Sequence, residues 1–302
     1  MKMKLTYDEA IAILQKSKRL TGRQFDEIND LACGYIDGNR HLPRDHEKVL
    51  KLLRMAAEKG NRLAEYNLGT CYDEGEGVAQ NYVMAVHWYQ KAAAHGYVDA
   101  MTNLAACYYL GEGVERDYAL EAYWLKRAVR KGDTLAKRLL AFCYEDGYGV
   151  KKNLPKTIRL LTEAAEEGDT IAQSQLSWHY YTGKGVEKSL EKEIFWAEKA
   201  AKKGNDRAQN TMGCYYLDGI GVEKDEAKAV ALFRKAVRKK NCCAAFNLAD
   251  CYRNGTGVEK DLKESLRWYR LAKRWNIELD PDMLEKNIKE VKEMILERGD
   301  AQ

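Results

Sequence analysis

The spacing of the glycines is the feature that most constrains this sequence. Seventeen of its 23 glycines fall on one lattice with a period of 36 residues. Single glycines occur at Gly60, Gly96, Gly132, Gly168 and Gly204, and Gly-x-Gly-Val segments begin at Gly75, Gly111, Gly147, Gly183, Gly219 and Gly255. A fixed period of this length is the signature of stacked supersecondary units, so the chain is predicted to fold as a repeat solenoid.

Two helices are predicted in each repeat. Counted from the single glycine, an Asn or Asp at position 1 can cap a first helix, helix A, in which Ala, Leu and Tyr recur at positions 4, 8 and 12. That spacing puts the three side chains on one helical face. The Gly-x-Gly-Val segment is predicted to end helix A, because glycine tolerates positive φ.

A second cap at position 21 begins helix B, which carries Trp or Leu at position 28 and Ala at position 32 and ends at the next single glycine. Each repeat is therefore predicted to be an antiparallel helix-turn-helix hairpin, and the fold class to be all-α. At the end of the sixth helix B, Lys240 replaces the glycine, and Asn241 is predicted to supply the left-handed residue there.

About seven repeats are predicted over residues 24–275, and the first is a degenerate copy with a longer loop at Asn39–Arg44. Residues 1–22 are predicted to form an N-terminal capping helix, at Tyr7–Leu20 with Thr6 as its cap. Residues 276–302 are predicted to form a C-terminal capping helix after Asp280-Pro281, with an apolar face made of Leu284, Ile288, Val291 and Ile295. Such caps are needed because terminal repeats otherwise expose apolar faces.

Composition narrows the classes of function. The chain is 45% hydrophobic and 32% charged with a net charge of +4, which is typical of an ordinary soluble protein and demands no nucleic acid. Asp8 and Glu9 interrupt the stretch that a signal peptide keeps apolar, and no segment approaches the length of a membrane span. Four of the eight cysteines recur at one repeat position, too far apart to pair, so we expect reduced thiols and a cytoplasmic location.

Residues 60–96 carry the full repeat pattern, A-x-x-x-L-G-x-x-Y-x-x-G-x-G-V followed by N and then by A-x-x-W-Y-x-K-A-A-x-x-G. This pattern resembles the Sel-one-like repeat, a relative of the tetratricopeptide repeat, and the similarity covers most of the chain. The resemblance implies a right-handed superhelix that acts as an adaptor between other proteins, with helix A lining its concave side. It implies no reaction.

Positions of helix A that vary between repeats are the candidates for a binding surface, because constant positions hold the lattice. They include amides, which can bond both the N–H and the C=O of an extended peptide, and aromatic residues with an arginine, which are typical of interface hot spots. The predicted partner-binding residues are Asn67, Asn103, Tyr109, Arg138, Phe142, Gln175, Trp178, Tyr181, Asn210, Phe246, Asn247 and Asp250. The aromatic and arginine residues on consecutive middle repeats are the preferred site.

Packing between neighbouring repeats is the alternative explanation for each of these side chains taken singly. Tetratricopeptide relatives that grip a C-terminal carboxylate pair asparagines in two units with basic residues in a third. Asn67 and Asn103 fit the first half of such a clamp. Leu139 stands at the equivalent position of the third unit, with Arg138 one step away, so the clamp is incomplete.

Catalytic and metal chemistry find little support in the sequence. The Gly-x-Gly-Val segments follow a helix and lack the Gly-Lys-Ser/Thr continuation of a phosphate loop. The histidines lack zinc spacing, and His179 is interpreted as a core substitution for the recurrent cysteine. Cys242-Cys243 lacks the C-x-x-C spacing of a redox site. The basic segment Lys224–Lys240 has contact with an acidic partner or nucleic acid as its alternative, but Asp225 and Glu226 dilute its charge, and it is interpreted as a solvated helix face.

We therefore expect a non-enzymatic scaffold, a monomer that binds a protein or peptide partner on its concave face without a cofactor or metal. No nucleic acid or membrane partner is expected. Two alternatives stay open: a hydrolase that uses the concave groove, and a secreted or host-directed interaction factor. A nucleophile hydrogen-bonded to a base in the groove would favour the enzyme.

Overall fold

The computed structural model describes residues 5–17, 19–37, 44–275 and 279–297. In these ranges the chain forms α-helices and no β-strand, which confirms the all-α prediction. The helices are α1 (Tyr7–Lys16), α2 (Gly22–Asp37), α3 (His46–Glu58), α4 (Arg62–Glu74), α5 (Tyr82–Ala94), α6 (Val98–Leu110), α7 (Tyr118–Arg130), α8 (Thr134–Asp146), α9 (Leu154–Glu166), α10 (Thr170–Thr182), α11 (Leu190–Lys202), α12 (Asp206–Asp218), α13 (Glu226–Val237), α14 (Cys242–Asn254), α15 (Leu262–Trp275) and α16 (Pro281–Glu297).

Two compact units divide the chain, residues 1–153 and residues 154–302. In the first unit, α2 packs against α3, α4 against α5 and α6 against α7, and each of these hairpins packs against the helix that follows it. In the second unit, α10 packs against α11, α12 against α13 and α14 against α15, with α9 beside α10 and α16 beside α15. The even-numbered helices from α2 to α14 are thus helix A of a repeat, and the odd-numbered helices from α3 to α15 are helix B.

The predicted cap residues begin most of these helices. At helix A, the cap side chain accepts a hydrogen bond from the backbone amide of the position-4 alanine; the caps are Asn61, Asp133, Asp169, Asn205 and Asn241. At helix B, the same role falls to Asn81, Asp117, Ser189, Asp225 and Asp261. These bonds satisfy amides that the helix itself leaves without partners. Tyr97 begins α6 without a side-chain cap.

The first capping helix is shorter than predicted. Thr6 and Glu9 form a capping box at its start, but α1 ends at Lys16 instead of continuing to Leu20. The reason lies in the next helix, because Thr21 and Gln24 bond each other at the start of α2 and the chain must turn before that point. The longer loop expected at Asn39–Arg44 lies almost wholly outside the described residues.

Every lattice glycine adopts a left-handed backbone conformation. All seventeen have positive φ, and Lys240, with φ 61°, is the one residue other than glycine in the described ranges that shares it. The prediction that Asn241 supplies this conformation is wrong: Asn241 has φ −66° and caps α14. The packing of α13 and α14 fixes the register, so the residue at the glycine position must turn left-handed whatever its side chain.

We expect Lys240→Gly to stabilise the second unit by about 0.5–1 kcal/mol. A left-handed residue with a Cβ costs about 1–2 kcal/mol, and the larger backbone entropy of glycine in the unfolded chain offsets part of that gain. Slower amide exchange at residues 239–243 would report the change. Lys239→Gly is the control, since Lys239 Nζ donates to the Gly204 carbonyl at 2.8 Å, and it should destabilise. Faster exchange in Lys240→Gly would contradict the expectation.

Constant positions of the repeat hold the core. The alanines at positions 4 and 32 and the Leu or Met at position 8 are buried in both units. The tyrosine at position 12 tethers its repeat to helix B of the preceding one: Arg54 donates to the Tyr72 hydroxyl at 3.0 Å, and Arg234 to the Tyr252 hydroxyl at 2.9 Å. Leu284, Ile288, Val291 and Ile295 of α16 are buried, as predicted. Within the described residues, no helix combines the length and hydropathy that a bilayer span requires.

Candidate functional site

The predicted binding residues lie on helix A of successive repeats, five in the first unit and seven in the second. Most are half-buried, but three aromatic side chains are exposed: Tyr109 (46%), Trp178 (47%) and Tyr181 (61%). Arg138 and Phe142 lie half-buried on α8 in the first unit, whereas Gln175, Trp178 and Tyr181 lie on α10 in the second. The exposed aromatic side chains are therefore the part of the predicted site that is open to a partner.

Tyr109 belongs to a row of three tyrosines in the first unit that we name the tyrosine ladder: Tyr109, Tyr118 and Tyr148. The ring centroids of Tyr109 and Tyr118 are 6.0 Å apart, and those of Tyr118 and Tyr148 are stacked at 4.9 Å. Tyr148 stands between the two glycines of a Gly-x-Gly segment and is 44% exposed. Sequence reasoning missed Tyr118 and Tyr148 because it searched helix A alone.

Asn103 is engaged inside the first unit. Its side chain interacts with the Tyr66 and Tyr89 hydroxyls, and Tyr89 also donates to Asp73 Oδ2 at 3.1 Å. Burial raises the pKa of both tyrosines, so they remain neutral donors. Asn103 thus has an internal role besides the predicted one, while its binding of a partner stays a prediction, as does that of Asn67.

In the second unit, Trp178 and Tyr181 are three residues apart on α10, so they lie on the same helical face. Lys184 Nζ lies 5.4 Å from the centroid of the Trp178 ring, in cation–π contact. His179, which follows Trp178, is buried and donates through Nδ1 to the Lys184 carbonyl at 2.7 Å. The helix therefore presents a large aromatic surface to solvent while its histidine anchors the glycine loop.

Asn210 and Asn247 join neighbouring repeats of the second unit. Asn247 Nδ2 donates to Asn210 Oδ1 at 2.9 Å and lies 3.3 Å from Cys214 Sγ. A partner peptide would have to compete with these contacts for the Asn247 amide.

Phe246 and Asp250 pack against helix B of their own repeat. The Phe246 ring meets the edge of Tyr269 at 5.3 Å, and the Tyr269 hydroxyl donates to Asp250 Oδ1. Burial raises the pKa of the Asp250 carboxyl above its ordinary value. These two residues thus hold the hairpin together, and their predicted contact with a partner remains untested.

Five of the eight cysteine thiols are poorly suited to nucleophilic chemistry. Burial raises the pKa of Cys71 and Cys214 to about 11 and that of Cys107, Cys143 and Cys251 to about 12. A thiol with such a pKa holds almost no thiolate at neutral pH. In the described part of the chain, no group of three His, Cys, Asp or Glu side chains is arranged to hold a metal ion.

Comparison with curated proteins finds short segments of similarity. Over 52 residues the chain is 42% identical to DAP3-binding cell death enhancer 1 of Rattus norvegicus and 40% identical to the protein of that name from Mus musculus. The matched segment is 17% of this chain and 10% of each relative, so the chain spans about a tenth of the relatives' length.

Solved structures resemble the chain over most of its length. A Sel1 repeat protein from Oxalobacter formigenes matches with a TM-score of 0.75 and 29% identity, covering 82% of this chain and all of that one. A protective antigen of uropathogenic Escherichia coli strains that displays an SLR fold matches with a TM-score of 0.53 and 27% identity, covering 95% of this chain and 74% of the antigen.

The family model for the Sel1 repeat matches seven consecutive segments, which agrees with the number of repeats that the glycine lattice predicts. The segments are residues 28–61, 62–97, 98–133, 134–169, 170–205, 206–241 and 244–274. Together they take in most of the sequence, and in the five segments between residues 62 and 241 helix A begins at the first residue of the segment. The chain is an all-α repeat solenoid that belongs to the Sel1 repeat family.

Proposed function

We propose that this protein is a non-enzymatic scaffold that binds a protein or peptide partner through the variable face of helix A. The observation that carries the proposal is the exposure of Trp178 and Tyr181 on consecutive turns of α10. Large aromatic side chains next to a cation are the residues that most often supply binding energy at protein interfaces. Because α10 is held in a packed repeat, its surface is preformed and loses little entropy on binding.

The comparisons support this class of function. Sel1 repeats are tetratricopeptide-like units, and such folds typically serve as protein-interaction scaffolds. The name of the rat relative also describes a protein that binds another protein. The high pKa of the buried thiols supports the non-enzymatic part of the proposal. Use of the concave face, a monomeric state and a cytoplasmic location stay predictions.

We expect the double substitution Trp178→Ala and Tyr181→Ala to reduce recovery of the partner in an affinity pull-down by about tenfold or more. Truncating a hot-spot aromatic residue costs about 2 kcal/mol, and the two residues share one face. Phe195→Ala is the matched control, because Phe195 is a 49% exposed aromatic residue on helix B of the same repeat. The measurement is quantitative mass spectrometry of proteins retained by each variant.

The control separates a binding surface from a general loss of exposed apolar area. Proteins lost with the double variant but retained by Phe195→Ala are partners of the α10 face. Equal recovery from all three proteins would exclude this face as the binding site, and circular dichroism of the variants establishes that each is folded.

A further inference from the structure

Positive charge is concentrated on helix B of the last two repeats. Residues 227–249 and 265–275 contain ten Lys and Arg residues and no Asp or Glu. All ten side chains are exposed, and they lie on α13, at its C-terminal end and on α15. The net charge of the whole chain is only +4, so this part of the second unit is far more basic than the rest.

Four arginines form the centre of this region, and we name them the arginine quartet: Arg234, Arg238, Arg270 and Arg274. Arg234 lies on α13 and Arg238, four residues on, is the C-cap of that helix. Arg270 and Arg274 occupy the equivalent positions of the last repeat, 36 residues on, and both lie on α15. Residues four apart on a helix have Cβ atoms about 6 Å apart, so each pair of arginines lies on one face of its helix. The quartet is therefore a two-by-two grid of equivalent repeat positions, with one exposed pair on α13 and its C-cap and one on α15.

Earlier repeats of the same unit lack this grid. The equivalent positions are Thr162 and Glu166 on α9 and Glu198 and Lys202 on α11, where Lys202 Nζ pairs with Glu198 Oε2 at 3.2 Å. The carboxylates of these two B helices lie instead at their starts, where Asp225 and Asp261 are the caps and Glu226 and Glu264 stand in the first turns. The quartet thus departs from the pattern of the neighbouring repeats.

We propose that the arginine quartet is a docking surface for an acidic peptide segment of a partner protein. The guanidinium groups of Arg238, Arg270 and Arg274 can each pair with a carboxylate through two parallel N–H···O bonds. In the described residues, the ion pairs that α15 makes are those of Arg267 with Glu264 and of Lys273 with Glu285, which leave the quartet out. This surface lies on helix B, whereas the proposed aromatic surface lies on helix A, so the two are separate contacts.

The surroundings of the quartet favour a protein over a nucleic acid or a membrane. No large apolar side chain is exposed in the described residues between 221 and 282. Binding of single-stranded nucleic acid relies on aromatic rings on which bases stack, and a membrane surface site relies on apolar side chains that enter the lipid. Tyr269, which precedes Arg270, is buried. Trp275, which follows Arg274, and Trp268 are half-buried, and Arg267 lies 5.5 Å from the Trp268 centroid.

The test is fluorescence anisotropy with a labelled peptide of alternating Glu and Ser residues, titrated with the full chain at low and at high salt. The variant Arg238→Gln, Arg270→Gln and Arg274→Gln should bind about tenfold more weakly, since each exposed charge-assisted pair contributes a few-fold. The control with the same change in net charge is Lys151→Gln, Lys152→Gln and Lys188→Gln, all at exposed loop positions, and it should retain affinity.

Two further probes, single-stranded RNA and lipid vesicles, test whether the quartet prefers a nucleic acid or a membrane to an acidic peptide. Tighter binding of single-stranded RNA than of the peptide, or sedimentation with phosphatidylserine vesicles without peptide binding, would overturn the proposal. So would equal peptide affinity of the quartet variant and the parent protein. The Trp178→Ala and Tyr181→Ala variant should bind the acidic peptide as the parent does, so failure of one surface is distinguishable from failure of the other.

Discussion

Replacing Gly149 with alanine is expected to destabilise the first unit by about 3 kcal/mol or more, whereas replacing Gly132 costs about 1 kcal/mol. Both glycines have positive φ, 59° and 88°, so the backbone strain of an added Cβ is similar. They differ in their surroundings. A Cβ on Gly149 would overlap the carbonyl group of Tyr118 and lie 2.7 Å from the Ala119 amide nitrogen, whereas a Cβ on Gly132 meets nothing within 4 Å.

The overlap arises because the Gly-x-Gly loop of one repeat rests on the first turn of helix B of the preceding repeat. Backbone atoms cannot rotate away as a flexible side chain does, so Gly149→Ala must push the loop off the start of α7. Urea unfolding followed by circular dichroism measures the total loss. Amide exchange in the first two turns of α7 locates it, which matters because repeat arrays can unfold in parts.

A second pair of glycines in the same unit repeats the comparison. A Cβ on Gly113 would overlap the Tyr82 carbonyl at the start of α5, and a Cβ on Gly96 meets nothing within 4 Å. Gly113→Ala should therefore behave like Gly149→Ala, and Gly96→Ala like Gly132→Ala. Equal stability of Gly149→Ala and Gly132→Ala, or of Gly113→Ala and Gly96→Ala, would show that backbone strain at positive φ alone explains why glycine recurs at these positions.

These contacts mark the limit of what the glycine lattice reveals. The sequence predicted the helical hairpins, their caps and the left-handed glycines, because each depends on residues close together in the chain. The contact of Gly149 with Tyr118 joins residues 31 positions apart and depends on how two repeats stack. Lys240 shows the same limit, since stacking forces its conformation against the preference of its side chain.

The candidate site was less predictable than the fold for a related reason. Variation between repeats identified Trp178 and Tyr181, which are exposed, but also Asn247, which bonds to Asn210 of the preceding repeat. A residue at a variable position can thus form a contact between neighbouring repeats as well as a contact with a partner. Glu121 is another example: it stands at a variable position of helix B, where other repeats have Ala85, Thr157 or Ser265, it is buried, and burial raises the pKa of its carboxyl. A single sequence does not separate these roles.

We expect Gly213→Ala to destabilise the second unit when Phe stands at position 233 and to stabilise it when Leu stands there. Gly213 lies within α12 and faces the buried ring of Phe233 on α13; a Cβ there would overlap Cε1 and lie 2.8 Å from Cδ1. With Phe233 present, the crowding costs about 1–3 kcal/mol, more than the helix propensity that alanine gains. With Phe233→Leu, the smaller side chain leaves room, and the same substitution should stabilise by about 1 kcal/mol.

Other repeats already show different combinations of residues at the positions equivalent to 213 and 233. Gly69 faces the ring of Tyr89, while Ala105 and Ala141 accompany Leu125 and Leu161 at the equivalent positions. Ala249 with Tyr269 shows that a hairpin can accommodate an alanine opposite an aromatic ring, which bounds the cost in the single variant. Unfolding of the parent, both single variants and the double variant gives a coupling free energy equal to the crowding cost, about 1–3 kcal/mol, if the contact governs the spacing of α12 and α13. Additive effects of the two substitutions would mean that it does not.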